Sequence, residues 1–368
     1  MLSGACLTVA ACGSDAPAPG DAATAGDAAL SDGAARDAGA RDAALEDAAS
    51  ADAALEDAAS TDAGALDAGA ASVCPPGSAS LVLDLGGVAL VPVAGVPVDD
   101  GFVSGFGIVE GPVWARDALY VSHFGGGPTP ASRIYRLDAT GVVTIAASSA
   151  GTNGLALAPD GRLHGARHSD GSISVFDWAD LDAAPTPIVS TYLGARFDSP
   201  NDLTFRSDGA LYFTDPDWQA PTTRPQAATR AYALPRGGVA TPIDGAPARP
   251  NGITLSRDER TLFISGTDGL RRFDLAADGS IAAGPFDVPA VSGGLDGLGL
   301  DCAGNLYVTG NDRVVILDSA LARIGELGAV GATNVAFGGA DGRTLFVTRL
   351  GTPPGLLSAS LNVPGLPY

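Results

Sequence analysis

From about residue 110 to residue 350 the chain repeats one alternation of polar turns and short apolar runs. In SPNDLTFRSDGALYFTDPDW, residues 199–218, a Pro-Asn-Asp turn leads into an apolar run. A Ser-Asp-Gly turn follows, then a second run, LYFT, that stops at Asp-Pro. Short apolar runs bounded by Asp, Gly and Pro predict strands, and the Asp-Gly turns between them predict antiparallel pairing. Related segments open at Glu110 (EGPVWARDALYVSHF), Asn153 (NGLALAPDGRLHGARH), Asn251 (NGITLSRDERTLFISGT), Asp296 (DGLGLDCAGNLYVTGN) and Asn334 (NVAFGGADGRTLFVTRL). Neighbouring copies are 43, 48, 50, 45 and 38 residues apart. A period of roughly 40–50 residues built from strands and tight turns is that of a propeller blade. The expected fold is all-β, a six-bladed β-propeller.

Within the repeats, further strands are expected at 133–137, 172–177, 269–274 and 313–317. Residues 216–230, rich in Pro, Thr and Ala, read as a loop covering one mouth of the ring. The apolar stretches 81–83, 88–98 and 356–363 are expected to be strands that enter or close the ring, because a ring must leave no long sheet edge open. Either end of the chain could supply the closing strand.

Upstream the pattern changes. In residues 13–72 Asp recurs at every fifth position from Asp27 to Asp67, in a background of Ala. A five-residue step turns about 140° on a helix, so the acids wind around every face and leave no apolar stripe to dock. With thirteen acidic residues and two arginines, this segment is expected to be an extended, partly helical, disordered Ala/Asp-rich tether. The first residues, MLSGACLTVAAC, resemble the end of a bacterial lipoprotein signal, with Cys12 as the lipidated residue; a basic n-region and a full-length apolar core are missing. The expected organisation is therefore a truncated signal at 1–11, an acidic linker at 12–75 and the propeller at 76–368. The only membrane attachment implied is a lipid anchor, which places the protein outside the cytoplasm on a bacterial envelope membrane.

The net charge of −21 excludes nucleic acid as a partner, since nothing here neutralises a run of phosphates. All 21 basic residues are arginine. Of four cysteines, Cys6 and Cys12 fall in the signal-like segment, leaving Cys74 at the entrance to the repeats and Cys302 inside the fifth. No C-x-x-C occurs, and a Cys74–Cys302 disulfide is expected if the domain matures in an oxidising compartment.

The residues that open the repeats carry the candidate chemistry. The first strand of a blade lines the central channel, so Glu110, Asn153, Asn201, Asn251, Asp296 and Asn334 should converge on one axis. All six offer side-chain oxygen and none is basic. Two carboxylates among neutral amide oxygens suit Ca²⁺, a hard cation that takes six to eight oxygens. Zinc would want His or Cys. The competing reading is that N-G and D-G are ordinary turn formers, but Glu110 in E-G-P is a poor one.

EGPVW at 110–114, SPNDL at 199–203, LYFTDP at 211–216, RPNGI at 249–253 and LDGLGLD at 295–301 resemble the senescence marker protein/gluconolactonase/luciferin-regenerating enzyme family over residues 105–350. The resemblance implies a six-bladed propeller with one divalent cation, usually Ca²⁺, and hydrolysis of a small lactone or ester; the protein is expected to be a monomer. By motif it implies metal ligands at Glu110, Asn201, Asn251 and Asp296, with Asp296 also catalytic. Asn153 and His168 fall at substrate-side positions. One departure is Arg257-Asp258-Glu259-Arg260 in place of the P-D-G turn. His123 and His164 sit on second strands and read as packing or surface residues, and no G-x-S-x-G nucleophile elbow occurs. Two other readings use the same residues: a non-catalytic binding propeller, and an organophosphate or ester hydrolase with the same cation.

Overall fold

The computed structural model describes residues 74–97 and 101–366; the signal-like segment with Cys12 and nearly all of the acidic linker lie outside it. The described chain is all-β, its helical content being one 3-10 turn at Ser78–Ser80. Each repeat folds as an antiparallel meander. The first comprises Gly107–Ala115, Ala118–Gly125, Ser132–Asp138 and Val143–Ala147, and the second Thr152–Leu157, Leu163–Arg167, Ser172–Val175 and Thr186–Val189. The third opens with Leu203–Phe205 and Leu211–Asp215, the fourth with Ile253–Leu255 and Thr261–Gly266, and the fifth with Leu295–Leu300 and Leu306–Gly310; each adds two outer strands. The sixth has three strands of its own, Ala332–Gly338, Thr344–Gly351 and Gly355–Ser360.

The N-terminal end supplies the missing strand. Val91–Pro92 pairs with Gly355–Ser360 through Val91↔Ser358 and Pro92↔Leu357. Proline is tolerated there because this is an outer edge, where one N–H has no strand to bond. At the other side, Gly107–Ile108 pairs with Leu350–Gly351, so the first and sixth meanders share one eight-stranded sheet.

Residues 81–83 are not a strand, contrary to expectation. One side chain stands in for a strand partner: Asn362 Nδ2 donates to the Val82 carbonyl (2.9 Å), and Asn362 Oδ1 accepts from the Asp84 N–H (2.9 Å). Leu83, Leu85, Val88 and Leu90 meanwhile cover the cluster between the fifth and sixth meanders. The segment is pinned at its start by a Cys74–Cys302 disulfide, Cα–Cα 5.5 Å across 228 residues of sequence.

The core is divided into clusters, each lying between consecutive meanders. Val113, Tyr120, Leu155 and Phe176 join the first to the second, Phe197, Phe213 and Tyr232 lie between the second and third, and Val109, Tyr135, Phe346 and Leu356 join the sixth back to the first. Inner strands are therefore covered on both faces. This is why they read as continuous apolar runs instead of alternating ones.

Candidate metal centre and active site

The residues that open the meanders meet. Glu110, Asn153, Asn201, Asn251 and Asn334 are each at most 9% exposed, while Asp296 is partly exposed. Register shifts occur beside four of them: between Glu110 and Val113, Thr152 and Leu155, Leu295 and Leu298, and Ala332 and Val335. A bulge leaves a residue out of the ladder and re-aims its side chain. The ladder of the third and fourth meanders starts just past Asn201 and Asn251.

Glycines following these residues explain their spacing. A Cβ on Gly154 would come within 2.5 Å of the Asn201 carbonyl oxygen, and one on Gly252 within 2.5 Å of that of Asp296. Gly111 abuts the Asn153 carbonyl and Gly297 the Asn334 side chain in the same manner. E-G, N-G and D-G are thus close-approach dipeptides, each glycine admitting the opening residue of the next meander.

Hydroxyls on the first and second strands complete the frame. Thr214 Oγ1 donates to the Asn251 carbonyl (2.6 Å), Ser265 Oγ to that of Asp296 (2.5 Å), Thr309 Oγ1 to that of Thr333 (2.7 Å), and Thr333 Oγ1 to that of Val109 (2.7 Å). Ser122 Oγ and Thr152 Oγ1 share a bond (2.8 Å) between the first and second meanders, and the Gly154 N–H donates to the Asn201 carbonyl (2.6 Å) between the second and third. The chain of bonds returns to its start. Thr214→Val would leave the buried Asn251 carbonyl and the Asp202 N–H without this hydroxyl partner. We expect it to cost about 1–3 kcal/mol in denaturant unfolding.

Three carboxylates face one another here. Burial, then the nearby Asp296, drives the Glu110 carboxyl well above the usual carboxylate range. Burial, then the Asp202 charge, pushes Asp296 up to about 8. Asp202, 7% exposed, is itself pushed up to about 7, chiefly by burial. Its Oδ1 accepts the Leu203 N–H (2.9 Å), and its Oδ2 accepts from Ile253 N (3.3 Å) and Asn334 Nδ2 (3.4 Å). Asn251 bonds Asp296, and Asn334 bonds Glu110. Like charges forced together out of water call for a cation. Asn153 Oδ1 is buried with no hydrogen-bond partner, one more oxygen of the same kind. Among the described residues no three His, Cys, Asp or Glu side chains converge as a metal cluster by themselves, so a cation here must also use amide oxygens. The donor set therefore fits a hard divalent cation of the Ca²⁺ type.

Residues 108–351 match the SMP-30/Gluconolactonase/LRE-like region. The chain belongs to that family. It is 26% identical to the gluconolactonase of Zymomonas mobilis over 272 residues, 65% of this chain and 75% of the relative. A solved gluconolactonase structure from Xanthomonas campestris superposes with a TM-score of 0.58 at 26% identity, covering 74% of this chain and 97% of the other. Regucalcin from Agrobacterium tumefaciens, described as a calcium-binding protein, shares the fold with a TM-score of 0.56 at 22% identity, covering 72% and 95%.

Against this family background the remaining residues fall into place. Asn153 Nδ2 reaches Gln219 Oε1 (3.5 Å) on the 216–230 loop. That loop is held by Arg224, whose Nε and Nη2 donate to the fully buried Asp198 (2.9 and 2.5 Å). His168 is fully buried beside Phe124, its Nε2 donating to the Pro130 carbonyl (2.9 Å). It anchors the 126–131 loop. Burial lowers its pKa to about 4, below the ordinary 6.5. Its contribution to stability is present above pH 6.5 and is lost as pH falls through 4. Urea unfolding should show about 3 kcal/mol lost by pH 4 from this group, and His168→Gln should flatten that part of the profile.

Two features escaped the sequence reading. Asp202 was legible only as a turn residue after Asn201. The hydroxyl frame did have a signal, the Ser or Thr closing LYVS, LYFT, LFIS, LYVT and LFVT; the second repeat has LHGA there.

Proposed function

We propose that this protein is a divalent-cation-dependent lactone hydrolase built as a six-bladed β-propeller, with Ca²⁺ as the resident ion. The observation that carries the reading is the placement of Glu110 and Asp296 within electrostatic reach of one another and of Asp202, among the buried amides of the meander-opening residues. Glu110, Asn201, Asn251 and Asp296 would hold the cation, which when bound supplies Lewis-acid polarisation of the substrate carbonyl. The amides of Asn201 and Asn251 contribute oxygen without cancelling charge. Asn334 orients Glu110 and Asp202. Asp296 accepts the proton of the attacking water, and Asp202, which hydrogen-bonds only amide N–H groups, is the second candidate for that role. Asn153 and Gln219 face the substrate.

The Cys74–Cys302 bond supports maturation in an oxidising, extracytoplasmic compartment, with Cys12 as lipid attachment and residues 12–75 as the tether. Among the described residues no helix is long and apolar enough to cross a membrane. The test is a chelator-controlled assay on glucono-δ-lactone, alkyl and aryl lactones and a phosphotriester. Lactone hydrolysis that stops on chelation and returns with Ca²⁺ is expected. Turnover of the phosphotriester alone, or of nothing, overturns the reading.

A further inference from the structure

Two of the four proposed cation ligands stand outside the strand ladders. Glu110 and Asp296 lie within Gly107–Ala115 and Leu295–Leu300, whereas Asn201 and Asn251 precede Leu203–Phe205 and Ile253–Leu255. Each asparagine keeps one backbone bond to its second strand, from the Asn201 N–H to the Thr214 carbonyl (2.9 Å) and from the Asn251 N–H to the Ser265 carbonyl (2.8 Å). Each is also preceded by proline, in Ser199-Pro200-Asn201 and Arg249-Pro250-Asn251. Proline fixes its own φ, so a restraint placed just ahead of it carries over to the asparagine. Whatever holds residues 198–199 and 249 therefore helps to place a ligand.

One series of charges holds both. Asp198, fully buried, accepts from Arg224 Nε and Nη2 (2.9 and 2.5 Å). Arg224 Nη1 donates to Asp217 Oδ2 (3.3 Å), and Asp217 Oδ1 accepts from Arg249 Nε (2.5 Å). The guanidinium of Arg249 lies over the Trp218 ring, 3.5 Å from its centroid. The series Asp198–Arg224–Asp217–Arg249 thus runs from three residues before Asn201 to two before Asn251, and its middle members come from the 216–230 loop. Arg249 has φ 46°, a left-handed backbone that persists in a non-glycine residue only where its surroundings hold it. Its side chain is fixed along one edge by Asp217 and on one face by Trp218. Exposed ion pairs alone do little for stability. Asp198 differs, because a fully buried carboxylate needs its partner; it fixes Arg224, and Arg224 in turn fixes Asp217.

From this geometry we infer that Asp217 and Arg224 are positioning residues for the cation centre, holding the two arms that carry Asn201 and Asn251 at a set separation. The inference rests on the cation reading and extends it to the 216–230 loop. Both residues act through the asparagines and not on the reacting atoms.

Asp217→Ala is the informative variant, since it breaks both links while leaving Arg224 on the buried Asp198. Calorimetric titration of Ca²⁺ into the chelated mature protein should give a dissociation constant raised about tenfold or more. Glu326→Ala removes a comparable pair of exposed contacts, to Arg313 and Arg323, away from either arm, and should leave the Ca²⁺ affinity within about twofold of wild type. Hydrogen exchange of the chelated protein reads the arms without metal. The amides of 201–203 and 251–253 should exchange about tenfold faster in Asp217→Ala, with those of 334–338 unchanged. Where wild type binds Ca²⁺, an Asp217→Ala affinity within about twofold of it, or an equal loss in Glu326→Ala, overturns the inference. The bonds to Ala248 from Thr267 and Asp268 would then suffice to hold the Arg249 arm. Exchange that rises equally at 334–338 marks a general loosening and overturns it too. If wild type binds no Ca²⁺, exchange decides: faster at both arms alone, the positioning role stands and the cation reading falls; unchanged, both fall.

Discussion

Asp296→Ala is expected to lower kcat/KM for lactone hydrolysis by about 10³-fold or more, with Ca²⁺ binding lost in parallel. The residue is asked to do two things, and its removal takes away both. It supplies one of the charges that hold the cation, and it is the proposed proton acceptor. Loss of electrostatic stabilisation at a reacting carbonyl alone costs about 10²–10³-fold, and loss of a general base about 10²–10⁴-fold. The amide variants separate the two contributions. Asp296→Asn keeps an oxygen at the same place, held by the same Ser265 bond to its backbone, but cannot accept a proton. We expect metal to remain bound, more weakly, and the rate to fall at least 10²-fold. Asp202→Asn should leave the rate within about tenfold if Asp296 is the base. The opposite ranking, with Asp202→Asn the more damaging at equal metal content, would move the base to Asp202.

Breaking the Cys74–Cys302 bond should produce the largest stability effect of any single change. The bond closes 228 residues of sequence, for which loop-closure entropy gives about 5 kcal/mol as an upper figure. The bond also anchors the segment whose Leu83, Leu85, Val88 and Leu90 cover the last core cluster and whose Val91–Pro92 completes the sixth meander. Cys302→Ser, or reduction of the native protein, should lower the free energy of unfolding by several kcal/mol in denaturant titrations. A shift under 1 kcal/mol would mean that the N-terminal segment holds its place without the bond.

The repeat was legible because both faces of each inner strand are buried, so the strands print themselves as apolar runs between Asp-Gly turns. The opening residues were legible for a different reason: close packing around the axis forces a glycine after most of them, and the E-G, N-G and D-G pairs recur. The same feature disguised them as turns. Glu259, standing where four of the other turns carry glycine, adopts φ 55° and accepts from both the N–H and the hydroxyl of Ser207 (2.9 and 2.5 Å); a departure in the sequence thus leaves the turn intact. Asp202 was hidden because its neighbours in space, Asn334 and Ile253, lie 132 and 51 residues away. Residues 81–83 misled for a related reason. Here Leu81 and Val82 are exposed despite their apolar character, and one asparagine stands where a strand partner was expected.

Calcium titration of the chelated mature protein, followed at each addition by the rate on a lactone substrate, bears most directly on the proposed centre. One equivalent of Ca²⁺ should restore full activity, with binding and rate saturating together, and Glu110→Ala and Asp296→Ala should abolish the binding isotherm. Undiminished lactone hydrolysis in the chelated protein, or Ca²⁺ binding that survives both substitutions, would contradict a cation held by the residues that open the repeats.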